Sequence, residues 1–228
     1  MLAYDDLSRN TPSRREATMA LDFKKEYKGL YLPPRKPGIV TVPPASYLAV
    51  RGHGDPNAEG GAYHRAIELL YGVAYTIKMS KKGNHRIDGY FDFVVPPLEG
   101  LWWQEGLHGV DYTRKEDFDW ISLIRLPDFA GPDEVEWAKG EASAKKGRDF
   151  GEVEFLAYDE GLCVQCMHVG PYDDEPATIK TMHAHMEAQG YALDITDERH
   201  HHEIYLSDTR RVAPEKLRTV VRHPIRIA

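Results

Sequence analysis

GLCVQCMHVGPYDDEPATIKTMHAHMEAQG, residues 161–190, is the stretch on which the fold turns. It begins as a strand, runs into a Gly-Pro-Tyr-Asp loop, and continues as a helix. Pro176 opens that helix, Ile179, Met182 and Met186 share one face of it, and Gly190 ends it. Two strands follow, HHEIYLSD (201–208) and LRTVVRHPIRI (217–227). The first half repeats this order. Strands at 39–43 and 46–53 lead through the glycine loop RGHGDPN into a helix from about Ala62. There Tyr63, Ile67, Leu70, Tyr71 and Ala74 recur at three- and four-residue spacing. Lys81–Asn84 breaks the helix; YFDFVVPPLEGLWW (90–103) reads as a strand kinked at Pro96 and Pro97, and SLIRLPDF (122–129) as the next.

A strand–helix–strand–strand unit used twice predicts an α+β protein. It would be a pseudo-symmetric tandem of two β-α-β-β modules, with both helices on one face of the sheet and a ligand cleft on the concave opposite face. Residues 1–20 read as a flexible polar arm, with Met19 an alternative start, and 21–228 as a single domain. Module one covers about 38–130, a connecting helix 131–150, and module two 151–228. Pro132 suits the first turn of that connecting helix.

The 228 residues are 42% hydrophobic and 29% charged, with a formal charge of −7. Those values suit a cytoplasmic globular protein and speak against direct nucleic-acid contact, while leaving a basic protein partner open. No apolar run reaches the length of a membrane span, and the acidic N-terminus is not a secretory signal. Thirteen Tyr, seven Phe and four Trp exceed what a core alone asks for, and leave some for a ligand pocket.

HVGPYDDEPATI, HHEIYLSDTRR, WISLIRLPDF, PLEGLWW and DFKKEYKGLYLPP together resemble the GyrI-like small-molecule-binding family, over roughly residues 20–228. The chain is similar in particular to a free-standing branch lacking a DNA-binding domain, which includes hydrolases that open the cyclopropane ring of DNA-alkylating natural products. The resemblance implies a bulky aromatic or cationic ligand held in a cleft between the modules. It also implies a buried acid on a strand of module two, the place taken here by Glu203.

Strand alternation puts His201, Glu203 and Tyr205 on one face and His202, Ile204 and Leu206 on the other. The more apolar second set is expected against the helices, and the Glu203–Tyr205 set in the cleft. A carboxylate between aromatic walls loses hydration, and can hold a cation or act as general base on water. Glu203 as a solvated strand residue, or as an ion-pair partner of Arg210 or Arg211, is the alternative. Trp102 and Trp103 straddle a strand, so one can complete the core while the other, Trp102 by preference, walls the cleft; both in the core is the competing arrangement. Tyr71 and Tyr75 share a helix face, either as core or with a hydroxyl in the cleft, where Tyr71 would polarise a ligand carbonyl as a catalytic partner of Glu203. His168 and Tyr172, in the strand and loop before the second helix, complete the candidate ligand-binding set with Trp102, Trp103, Tyr75 and Tyr205.

Other signals carry less. CVQC (163–166) lies within a strand, which turns the two sulfurs to opposite faces, unlike redox pairs at helix N-termini. His183 and His185 diverge on their helix, and only alternate members of His200–His202 share a face, so no metal site is expected. RGHGDPNAEGG lacks the phosphate-loop pattern, and no G-x-S-x-G occurs. No cofactor is expected, and the oligomeric state is open.

Overall fold

Pro43 and Pro44 determine how the sheet is built. In the computed structural model, which describes residues 20–107 and 109–228, they interrupt one long strand, dividing β1 (Gly38–Val42) from β2 (Ala45–His53). Neither proline can donate to a ladder, so the strand kinks there. The antiparallel partner is broken opposite them, into β5 (Glu154–Tyr158) and β6 (Gly161–Val169). Register is unchanged across the kink: Val42 faces Gly161, and three residues on Ala45 faces Tyr158.

The remaining strands are β3 (Leu98–Trp103), β4 (Asp119–Arg125), β7 (Tyr191–Leu193), β8 (His201–Tyr205) and β9 (Arg218–Ile227). The sheet order is β1-β6-β9-β8-β3-β4-β2-β5, with β7 on β9. β1 and β2 thus stand six places apart in the order, roughly 29 Å on a flat sheet, yet three Cα–Cα steps link Val42 to Ala45, a reach of about 11 Å. The sheet must therefore curl until its two ends meet. Each half of the chain lends an edge strand to the other: β1 to β6, β5 to β2.

The helices are α1 (Phe23–Glu26), α2 (Lys28–Tyr31), α3 (Ala62–Met79), α4 (Pro132–Lys146) and α5 (Glu175–Ala188). The protein is α+β, as the residue pattern predicts. α5 lays Met182 and Met186 on Val164, Cys166, Val221 and Ile225, while α3 lays Leu69, Leu70 and Val73 against the β2–β4 side of the sheet. Cys163 and Cys166 are free and buried on opposite faces of β6.

Three expectations need correction. Residues 90–97 stay out of the main sheet, apart from an isolated bridge between Phe93 and Leu21: the rings of Tyr90 and Phe91 pack on Phe129 at 5.0 Å and Phe93 at 5.9 Å, and only Leu98–Trp103 joins the ladder. The strand after them ends at Arg125 rather than running on to residue 129. The third correction concerns the two faces. Glu203 is paired with Val221 and Gly100, and Trp102 with His201 and Trp120, so these side chains share the face that carries α3 and α5. The opposite face is already filled. His202, Glu99, Glu160 and Arg222 are buried there, with α2 closing over them through bonds from Gln165 to the Gly29 carbonyl and from Arg222 to that of Leu30. The second set on β8 is apolar only at Ile204 and Leu206; His202 belongs to a charge network, which hydrophobic patterning does not register.

The expected polar arm over residues 1–20, with its alternative start at Met19, lies, Ala20 apart, outside the described residues. No helix among the described residues is long and apolar enough to cross a membrane.

Candidate functional site

Gly100 opens the site. It stands directly opposite Glu203, and a Cβ there would lie 2.5 Å from Trp102 Nε1 and 3.0 Å from the Tyr205 hydroxyl. Because no side chain projects from β3 at this point, the Trp102 indole folds back over the backbone and donates from Nε1 to Tyr205 OH at 2.9 Å. Tyr63, in the first turn of α3, packs its ring 5.2 Å from both Trp102 and Trp120. Tyr172, just before α5, meets Tyr205 edge-on at 5.7 Å. The result is an aromatic surround between the two helix N-termini, with a carboxylate at its base: Glu203 is 6% exposed.

A second acid lies beside it. Glu175, the first residue of α5, is fully buried. Tyr112 OH donates to its Oε2 at 2.9 Å, and Oε1 has no partner among the described residues. Burial, and then the charge of Glu203, push the Glu175 carboxyl well above the ordinary range, against the Tyr112 bond that favours its anion. Between the two acids sits His201, whose Nε2 is 2.8 Å from Glu203 Oε1 and 3.8 Å from Glu175 Oε2. The tyrosines respond in kind. Burial, and after it the charges of these acids, raise the hydroxyls of Tyr172, Tyr205 and Tyr112 above the usual phenol range. Tyr63 rises too, through burial and the Glu203 charge, with the Tyr205 hydroxyl offsetting part of the shift. Four protonated hydroxyls and two carboxyls in a water-poor site can donate to an oxyanion and accept from a cation or a water.

Glu175, His201 and Glu203 offer three ligand atoms within 4.8 Å of one another, a spacing that would also suit a cation. Their nearest atoms are already matched as donor and acceptor, His201 Nε2 to Glu203 Oε1 and Tyr112 OH to Glu175 Oε2. The trio is a hydrogen-bonded group of two carboxyls and an imidazole.

Of the residues singled out in the sequence, Glu203, Tyr205, Trp102 and Tyr172 come together. Trp103 points to the other face and stacks on His200 at 4.2 Å. His168 is occupied on both ring nitrogens, by Thr178 Oγ1 at 2.8 Å and the Pro171 carbonyl at 3.0 Å, and so ties the Gly-Pro loop to α5. Tyr71 lies two turns beyond Tyr63 on α3, its ring 6.2 Å from that of Tyr75, which is 51% exposed; burial first, and then Tyr75 and Asp208, raise its hydroxyl above the usual phenol range. Tyr63, Tyr112 and Glu175 went unmarked as site residues. Only Tyr63 left a signal, as the first aromatic of the α3 stripe. A groove of about 490 Å³ lies elsewhere, between α2 and β1, walled by Leu32, Pro33, Pro34, Ile39 and Val40. It gathers no acidic side chain.

A family model for the GyrI-like small-molecule-binding domain matches residues 35–226, and the chain belongs to that family. Three solved structures from Listeria innocua are similar to it. One, described as a hydrolase, is 46% identical over 90% of this chain and all of its own, with a TM-score of 0.82. An uncharacterised conserved protein is 48% identical over 90% of this chain and all of its own, at 0.85. A second hydrolase is 46% identical over 91% of this chain and all of its own, at 0.84. No functionally curated protein matches the chain.

Proposed function

We propose that this small-molecule-binding protein is a cofactor-free hydrolase of bulky, electrophilic aromatic compounds, which opens a cyclopropane ring with water and so detoxifies alkylating agents in the cytoplasm. The observation that carries the reading is the pair of buried carboxyls, Glu203 and Glu175, beneath four protonated tyrosine hydroxyls. The two Listeria innocua hydrolases, nearly half identical over their whole length, support it.

The chemistry follows from those groups. A flat, fused-ring substrate enters between Tyr63, Trp102, Tyr172 and Tyr205, each aromatic wall contributing on the order of 1 kcal/mol beyond its buried area. Glu203 takes a proton from a water whose oxygen bonds to the ring carbon. The strained C–C bond breaks, and its electron pair enters the conjugated dienone, which becomes a phenolate. Tyrosine hydroxyls in the surround donate to that developing oxyanion.

The test uses a cyclopropane-containing DNA alkylator with catalytic amounts of protein, followed by mass spectrometry. Expected is a product heavier by one water, in many-fold excess over protein and insensitive to a chelator. Glu203→Gln keeps the shape of the side chain and should lower turnover by about 10²-fold or more while binding changes little. Intact compound that co-elutes with the protein would replace this reading by sequestration, to which the same aromatic surround is suited.

A further inference from the structure

Glu203 is not the end of its hydrogen-bond chain. His201 turns Nε2 to Glu203 Oε1 at 2.8 Å, and its Nδ1 lies 2.7 Å from His223 Nε2. His223 Nδ1 in turn lies 2.8 Å from Nε2 of His183, on α5. His201 is fully buried and His223 nearly so; His183 is half-buried. Three imidazoles from β8, β9 and α5 thus stand in file, every ring nitrogen taken among the described residues except Nδ1 of the half-buried His183.

We propose that His201, His223 and His183 form a proton relay joining the Glu203–Glu175 carboxyl pair to solvent at the surface of α5. A neutral imidazole donates at one ring nitrogen and accepts at the other, so three in file pass a proton without any of them keeping a charge. In the outward run Glu203 gives its proton to His201 Nε2. His201 Nδ1 passes one to His223 Nε2, His223 Nδ1 passes one to His183 Nε2, and His183 Nδ1 releases one to water. Each ring ends in the opposite tautomer; the inward run, in which Glu203 receives a proton and passes it to the product phenolate, restores the first set and leaves Glu203 a carboxylate again. The role rests on the reading of Glu203 as the base: with a ligand filling the aromatic side, the file is the remaining route by which Glu203 exchanges the proton it takes from water.

The surroundings disfavour charge on the outer two rings. Burial, then mutual repulsion with His201 and His183, holds His223 well below the ordinary imidazole range, and burial lowers His183 as well. The acidic groups facing the file are Glu203 on β8, Glu175 and Glu187 on α5, and the Tyr112 hydroxyl at the His201 end, 3.5 Å from Nε2. Those at the inner end draw protons toward the carboxyl pair, and Glu187 offers a landing point at the outer end. A structural column of the same volume needs no such polarity: Met or Leu would fill it without enclosing five ring nitrogens.

The experiment uses the full chain with 15N-labelled histidine, and needs no substrate. Expected are nitrogen–nitrogen couplings across both imidazole contacts, neutral ring shifts for His223 at pH 7, and exchange of the inner ring protons with solvent that slows about tenfold or more in His183→Gln, which keeps the volume but cannot change tautomer. In His183→Ala, free imidazole should restore the rate. A cationic His223, missing couplings, or exchange unchanged in His183→Gln overturns the relay whatever the substrate proves to be. Where turnover is measurable, His183→Gln should lower kcat and leave KM alone, whereas failure of Glu203 as the base shows separately in Glu203→Gln.

Discussion

His202 makes the pH dependence of stability a direct test of the buried face. Both its ring nitrogens meet carboxylates, Nδ1 to Glu160 Oε1 at 2.9 Å and Nε2 to Glu99 Oε2 at 3.0 Å. Carboxylates only accept, so both nitrogens must donate and the ring must be cationic. Burial opposes this, but the charges and bonds of Glu160 and Glu99 outweigh it and raise His202 from 6.5 to about 9. Arg222 completes the balance through Nη1 to Glu160 Oε2 at 2.7 Å, two cations against two anions. Between pH 6.5 and 9 the folded chain keeps a proton that the unfolded chain has lost. The stabilisation is therefore full below pH 6.5 and disappears as pH rises through 9. A shift of this size, at 1.36 kcal/mol per pKa unit, corresponds to roughly 3 kcal/mol, a large part of the 5–15 kcal/mol typical of a domain. Urea denaturation at fixed ionic strength should find the protein roughly 2–3 kcal/mol less stable at pH 9 than at pH 6.5. The window excludes the depressed histidines, His183, His200 and His223, whose destabilising protonation lies below 6.5. The thiols enter only at its upper edge: burial raises Cys166 to about 11 and Cys163 higher still, so the unfolded thiols ionise first, near 9, and add a smaller loss of the same sign there. His202→Gln should be less stable at neutral pH by about 3–5 kcal/mol, as expected when a buried ion pair loses one partner, and flat across the window. A wild-type curve that is level or rising from 6.5 to 9, or a variant that keeps the slope, would refute the assignment.

Three further outcomes are expected. At low pH, Glu160 should release its stabilisation as pH falls from 4.5 through about 2, since Arg222 and His202 outweigh burial and hold it low; Glu160→Gln should remove that acid limb from calorimetric scans. Gly52→Ala puts a Cβ 2.2 Å from the Trp120 ring and should cost about 1–3 kcal/mol in urea melts, with the ring displaced toward Tyr63 and ligand affinity lowered as well. Tyr112→Phe removes the hydroxyl that favours the Glu175 anion, so carbon-13 carboxyl NMR should show Glu175 titrating at still higher pH than in the wild type.

The order of elements was legible because local signals marked it. Pro176 and Gly190 bound α5 closely, and the spacing of Ile67, Leu70 and Ala74 located α3. The short β5 and β7 were missed because they hold few residues and little alternation, and their places depend on partners far along the chain. The swap of β1 and β5 between halves is legible only afterwards, in the Pro43–Pro44 kink, since no local rule says which distant strand a kinked one will join.

The histidine run shows why the site was half legible. Alternation correctly grouped His201 with Glu203 and Tyr205, a matter of geometry along one strand. Which face would meet the helices was judged from apolarity, and there His202 misled. It sits among charges that cancel, so its side of the sheet is buried as completely as an apolar one, by ion pairing and by α2 rather than by hydrophobic transfer. The same compensation hides Glu175, a carboxyl at a helix N-terminus that reads as an ordinary solvated first-turn acid. It becomes part of the site only when Glu203 arrives from β8 and Tyr112 from the β3–β4 connection. One face of β8 thus carries a charge-balanced tetrad that stabilises the sheet. The other carries two acids, only one of them hydrogen-bonded to an imidazole, and burial beside Glu203 pushes Glu175 toward its neutral form. That asymmetry is why we propose the Glu203 face as the reactive one: balanced charge holds a fold in place, whereas a buried carboxyl without a cation of its own favours its neutral form.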